Sequence, residues 1–379
     1  MSQAQRSLSR RDFLKLAGIG LGSLAFRPLR DPLFPDRLQV SRLAKFPQAD
    51  ALGRNCTADT SLQYGGTIAV HVRPDLNSGI VRNAYRDEVF PWIRELTAER
   101  LDYNNPNQRW VETPEGFIRS AQLQPCRNSP NVPLTSMPEG VNGFWAEVTV
   151  PYVDLLMENA QPVSGWMRDH AAFGLQPRLY YHQVMWVDQV RSLDSATVQY
   201  RLNERYGNPG DLFWADAAAF RPLTPDDIAP IHPEVDPATK KIVVDKTYQQ
   251  LSCFEDEREV YYCRVSTGIQ EGATPLGDHK IWRKLISVRM GANTVAASYD
   301  LPGIGWTTLF VGDGVAIHAA TSHNDFGAVR SHGCVNCRPE DAKWIFRWTL
   351  PSVGLETGEV STDWLDPTST HIFVEQQQY

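Results

Sequence analysis

The stretch Ile317–Phe346 reads IHAATSHNDFGAVRSHGCVNCRPEDAKWIF. An apolar strand pattern ends at His318, and a polar turn, Ser331-His332-Gly333, delivers Cys334. Cys337 follows three residues later. Pro339 suits the first position of a helix, Glu340 and Asp341 suit the positive end of its dipole, and Ala342, Ile345, Phe346 and Thr349 share one face. Upstream, KKIVVDKTYQQLSCFEDEREVYYCRVSTG from Lys240 reads as strand, hairpin and strand. TPLGDHKIWRKLISVRM adds another strand, and YDLPGIGWTTLFVGDGVAIHAA a further pair ending at His318. The block 240–375 is therefore expected to be mainly β, with one helix directly after the cysteine turn.

A neutral thiol is a poor nucleophile and needs an activator. A histidine within reach can take its proton, and backbone N–H groups in a turn of small residues can face an oxyanion. His318 at a strand end and Cys334 at a helix mouth supply both parts, and the helix dipole is expected to favour thiolate. A zinc site through Cys334 and Cys337 has suitable Cys-x-x-Cys spacing, but no second cysteine pair accompanies it and His332 is poorly placed for a tetrahedral cage. A redox pair lacks the usual βαβ context. No metal and no cofactor are expected.

Ser331-His332-Gly333-Cys334-Val335-Asn336 resembles the S/T-H-G-C-hydrophobic-N signature of L,D-transpeptidases. VSTG at Val265–Gly268, TPLG at Thr274–Gly277, YDLPGIGW at Tyr299–Trp306, HNDFG at His323–Gly327 and PEDAKWIF after the motif fit the same resemblance. It implies a β-sandwich-like catalytic domain that cross-links peptidoglycan stem peptides, with Cys334 as nucleophile and His318 as base. It also implies that the Ala319 carbonyl holds the imidazole tautomer and that amides of His332, Gly333 and Cys334 form the oxyanion hole. Ser331, His332 and Asn336 would shape the pocket, and His323, inside the loop between base and nucleophile, is placed to touch substrate. Two departures stand out. The segment from His318 to Ser331 is short for the family, and Cys337-Arg338 replaces a larger apolar residue and a Ser or Thr cap. Cys337 reads as a small core residue, able to divert Cys334 into a disulfide under oxidising conditions.

Working outward, Tyr64–Pro125 alternates apolar and polar residues in short pieces separated by Arg73-Pro74-Asp75, Asn77-Ser78-Gly79 and Pro114-Glu115-Gly116. This resembles bacterial SH3-like barrels, with the module set at 56–130. Residues 142–235 look like a second, divergent SH3-like unit. Its aromatics, Tyr180, Tyr181, Trp186, Tyr200, Tyr206, Phe213 and Trp214, are expected to pack more than to line a glycan groove. Peptidoglycan stem peptides and glycan are the expected partners, and a monomer the expected state.

Ser9-Arg10-Arg11-Asp12-Phe13-Leu14-Lys15 resembles a twin-arginine export signal, followed by an apolar run too short to span a bilayer comfortably. Residues 1–30 are assigned to it. The expected location is extracytoplasmic, in the periplasm or cell wall, with no transmembrane domain beyond an uncleaved signal. The 379-residue chain carries a formal net charge of −7. Without residues 1–30 it holds 31 basic and 43 acidic residues, a net of −12, which excludes a phosphate-binding surface and nucleic acid as partner. Export permits disulfides. Pairing Cys56 with Cys126 would clip the first module's ends together. Cys253 and Cys263 flank a hairpin whose turn at Asp256-Glu257 sets Val260 opposite Cys253, so the two cysteines are expected on different faces.

Overall fold

The computed structural model describes residues 51–57, 67–103, 105–194, 197–206, 210–291, 300–312, 314–363 and 366–377. The proposed export signal lies outside the described residues. Everything described is mostly β, as the density of β-branched and aromatic residues between turn signals dictates.

The first module wraps a three-stranded sheet, Val89–Pro91, Leu52–Asn55 and Leu123–Cys126, against a five-stranded one built from Ile80–Ala84, Ile68–His71, Gly116–Arg119, Arg109–Thr113 and Arg94–Thr97. Ile68, Val70, Phe90, Trp92, Val111, Ile118 and Leu123 fill its core. Cys56 Sγ donates to the Gln122 carbonyl at 3.3 Å, and Cys126 is buried in the strand pair. The antiparallel register sets Cys126 opposite Leu52 and Leu123 opposite Asn55, which leaves the two thiols at opposite ends of the strand pair, too far apart for a disulfide.

The second module is a six-stranded antiparallel sheet centred on Val184–Ser192 and Val198–Asn203. A helix, Gly165–Ala172, packs Trp166 and Met167 onto it; the strand-only reading of this region missed it. Tyr180, Tyr200, Phe213 and Trp214 are buried, and Trp186 and Tyr206 pack against the core of the third module, so this aromatic density serves packing.

The third module stacks two five-stranded sheets. One runs Arg258–Arg264, Gln250–Glu255, Lys240–Asp245, His371–Glu375, Gly277–Lys280. The other runs Val335–Cys337, Ala316–Ala319, Asp300–Leu309, Arg283–Gly291, Glu359–Ser361. The helix Pro339–Trp348 buries Ala342, Ile345, Phe346 and Trp348 in their shared core. Pro339 takes the first helical position, with Glu340 and Asp341 in the first turn and an Arg338 that makes no capping bond with its side chain. In the hairpin Glu255 pairs with Arg258, so the turn lies at Asp256-Glu257. A bulge beside Cys253 shifts the register, however, and sets Tyr261 rather than Val260 opposite it. Cys263 pairs with Leu251, two residues from Cys253. Cys253 and Cys263 therefore share the buried face instead of lying on different ones.

Candidate active site

The strands Ala316–Ala319 and Val335–Cys337 are parallel, with His318 level with Asn336 and Ile317 with Val335. Parallel neighbours need a long crossover; here it is the irregular segment 320–334. The register puts Cys334 level with Ala316, whose N–H donates to the Cys334 sulfur. Side chains alternate along a strand, so Cys334, Asn336 and His318 face one side. Val335 and Cys337 turn into the core, where both are fully buried. That alternation separates Cys337 from Cys334 and leaves a disulfide between them without a geometric path.

The strand Val335–Cys337 stands between the thiol and the helix, which begins at Pro339. Cys334 is therefore not at the helix mouth, and the expected dipole support for thiolate is absent. Burial pushes its thiol up to about 11, with the Ala316 N–H acting the other way. The thiol lies 3.7 Å from the Gly314 carbonyl. His318 is buried, which lowers its pKa, and its Nδ1 lies 2.9 Å from the Ala319 carbonyl, a partial counterweight. A carbonyl only accepts, so Nδ1 carries the proton and Nε2 is the basic nitrogen. The resting pair is thus thiol and neutral imidazole, which asks for proton transfer during attack.

The turn Ser331–Cys334 is shaped by one hydroxyl. Ser331 Oγ donates to the Cys334 carbonyl at 2.5 Å and accepts from the Gly333 N–H at 3.1 Å. The Gly333 amide, expected in the oxyanion hole, is thereby engaged in the resting turn. A Cβ on Gly333 would lie 2.7 Å from the Ala273 carbonyl oxygen, so only glycine fits. His332 is exposed. The sequence words around the motif form the floor. Thr274 Oγ1 donates to the Gly333 carbonyl at 2.7 Å and accepts from the Gly268 N–H at 2.9 Å, tying TPLG and VSTG to the cysteine turn. Ser266 pairs with Asn336, and Gly268 with Ser331.

His323 sits in the crossover. Its Nδ1 accepts from the Asp325 N–H at 3.1 Å, and its Nε2 lies 3.0 Å from the side-chain amide nitrogen of Asn336. Burial, then Arg330 and His318, push its pKa down to about 3. A neutral ring that accepts at Nδ1 must donate at Nε2, so the Asn336 side-chain oxygen, which has no other hydrogen-bond partner, is its acceptor. Sequence reasoning placed His323 beside substrate and missed this pairing, which arises where the crossover folds back onto the strand Val335–Cys337. Among the described residues no group of three or more His, Cys, Asp or Glu is placed to hold a metal.

Residues 239–360 match the family model YkuD, the L,D-transpeptidase catalytic domain. The match covers about a third of the chain. No curated protein matches the chain. Among solved structures, an L,D-transpeptidase from Enterococcus faecium is 20% identical over 36% of this chain and 50% of that one, with a TM-score of 0.29. One from Mycobacterium smegmatis is 18% identical over 64% of this chain and 100% of that one, at 0.30. An L,D-transpeptidase solved in complex with imipenem is 16% identical over 65% and 100%, at 0.29. The chain spans about half the length of the Enterococcus faecium protein. The matched segment contains His318, Ser331 and Cys334, with a mainly β architecture around them.

Proposed function

We propose that this chain is an exported peptidoglycan L,D-transpeptidase acting through Cys334. The Cys334 thiol attacks the carbonyl of the diamino acid in a donor tetrapeptide stem while His318 Nε2 takes its proton. The bond to the terminal D-residue breaks, the imidazolium returns the proton to the leaving amine, and a thioester remains. An acceptor side-chain amine then attacks the thioester, His318 takes a proton from it, and the thiol is restored with a 3-3 cross-link formed. The Cys334 N–H and its neighbours would face the oxyanion, with Ser331, His332 and Asn336 around the stem and Ala319 fixing the base. Hydrolysis by the same thioester, an L,D-carboxypeptidase or endopeptidase reaction, is the alternative when water reaches it first. A silent wall-binding protein would have no use for the arrangement described.

The observation that carries the proposal is the parallel register: it puts a thiol and an imidazole of fixed tautomer on one face, inside the segment that matches this family. The N-terminal modules are proposed as SH3-like domains that engage wall glycan and peptide, and Arg10-Arg11 as the export signal. No helix among the described residues is long and apolar enough to cross a membrane. Incubation with purified disaccharide stem peptides, read by mass spectrometry, tests the reaction. Dimers mean transpeptidation, shortened monomers mean hydrolysis, and unchanged peptide sinks both.

A further inference from the structure

The crossover between base and nucleophile is held from outside the catalytic sheets. Arg54, buried in the first barrel, donates from Nη2 to the Thr321 carbonyl at 3.2 Å. Its Nη1 and Nε donate to Asp87 at 2.7 Å and Gln124 at 2.9 Å, which fixes the guanidinium plane. Arg109 Nη2 donates to the Asn324 carbonyl at 2.9 Å. Asn107 Nδ2 donates to Asp325 Oδ1 at 2.8 Å and lies 3.4 Å from the same Asn324 carbonyl. In return Asn324 Nδ2 donates to Ser120 Oγ at 3.0 Å, and its backbone N–H to the Ala121 carbonyl at 3.2 Å. Three separate parts of the barrel thus converge on Thr321, Asn324 and Asp325, within one five-residue segment.

The segment Thr321–Asp325 sets the geometry around the base. Thr321 lies two positions beyond the Ala319 carbonyl that faces His318 Nδ1. The Asp325 N–H is the donor that fixes the His323 ring, and that ring reaches Asn336, level with His318. Asn324 and Asp325 are buried, so their polar groups cannot trade the barrel for water without the segment moving. Arg109 is itself steered by Glu95, 3.1 Å away.

We propose that the first barrel is part of the catalytic apparatus: Asn107 and Arg109 are positioning residues that fix Thr321–Asp325, and through it the His323–Asn336 pair beside His318. The inference rests on the reading of Cys334 and His318 given above, and it assigns the barrel a role beyond contact with the wall. A displacement of the segment misplaces the base without removing any group that touches substrate.

The test uses the full chain with Asn107→Ala, Arg109→Ala, the conservative Arg109→Lys, and Arg73→Ala as a control on an exposed barrel ion pair. Histidine ¹⁵N spectra report the His323 tautomer, and stem-peptide kinetics give kcat and KM. Asn107→Ala and Arg109→Ala are expected to lower kcat about tenfold or more with little change in KM, as a base shifted by about 1 Å would. The His323 ring should lose its Nδ1-acceptor signature in both, and Arg109→Lys should restore much of kcat. Arg73→Ala should change neither. Unchanged kcat in folded Arg109→Ala, or lost kcat with an unchanged His323 spectrum, overturns the proposal. Should Arg109→Ala fail to fold, Ser120→Ala removes an acceptor of Asn324 together with a donor to Glu95, both parts of the same clamp, and the His323 spectrum decides in the same way. Were wild-type protein inactive on stem peptides, the reading of function would fall while the tautomer measurement still judged the clamp.

Discussion

At Cys334 the decisive quantity is the protonation state at rest. A thiol held at about 11 beside an imidazole whose pKa burial has lowered is a neutral pair, so the base is deprotonated throughout the neutral range. The acid limb of kcat/KM is therefore expected below pH 6.5, the usual histidine value, with the rate flat from there to neutrality; a limb well above 6.5 would contradict a neutral His318. Acylation by a carbapenem, read by intact mass, isolates the same residues. His318→Ala should slow it by about 10²–10⁴-fold, Cys334→Ser should abolish it, and Cys337→Ser should leave it nearly intact because Cys337 faces the core. An adduct that persists in Cys334→Ser would overturn the assignment. At Cys334 and His318 the chain displays the side chains that the proposed chemistry needs. The His323–Asn336 contact was not legible, since it depends on how the crossover folds back onto the strand Val335–Cys337. Nor was the engagement of the Gly333 amide by Ser331, a matter of turn geometry.

Between elements, the helix Pro339–Trp348 was legible at its start, where proline and two acids announce an N-terminus. Its other end was not. Lys284, on the neighbouring strand and fully buried, donates from Nζ to the carbonyls of Phe346, Thr349 and Pro351 at 2.6, 2.8 and 2.7 Å. It caps the last turn from a position some sixty residues away in sequence, where no local pattern marks it. Burial holds its amine well below the usual lysine range. Lys284→Met keeps the stem and removes the donor, which leaves three carbonyls without it. A loss of about 2–4 kcal/mol in urea unfolding is expected; a variant as stable as wild type would show that water replaces the amine. The hairpin at Cys253 carries the same lesson. Its turn was plain from Asp256-Glu257, but one bulged residue moved Cys263 to the other face, and no single residue type marks a bulge.

Across the whole chain the three modules are less separable than their linkers suggest. Trp145, Val184 and Leu223 of the second module lie in the core of the 240–375 block, and Gln183 Nε2 donates to the Pro302 carbonyl at 2.6 Å. Such contacts span modules and leave no trace in any local window. The same junction makes stability depend on pH in an unusual sense. Glu204 is buried beside Arg289, 3.5 Å away, with Asp300 and Asp211 near, and burial first of all raises its pKa to about 8. Glu147 is buried too, but His182 at 2.7 Å and Arg221 at 2.8 Å outweigh that burial and hold it at about 2. Both carboxyls start near 4.5 when unfolded. For Glu204 the folded chain binds the extra proton, so stability falls as pH rises from about 4.5 toward 8. For Glu147 the unfolded chain binds it, so stability falls as pH drops from about 4.5 toward 2. The raised His182 adds a loss above its ordinary 6.5, while the lowered His323, His318 and His170 add a gain as pH rises toward 6.5. The Glu204 contribution is therefore read as a difference between two proteins measured side by side. Glu204→Gln should gain urea stability relative to wild type as pH rises from about 4.5 toward 8, since an amide carries no proton to lose while the histidines are common to both. A difference that stays constant with pH would show that Glu204 does not carry this dependence.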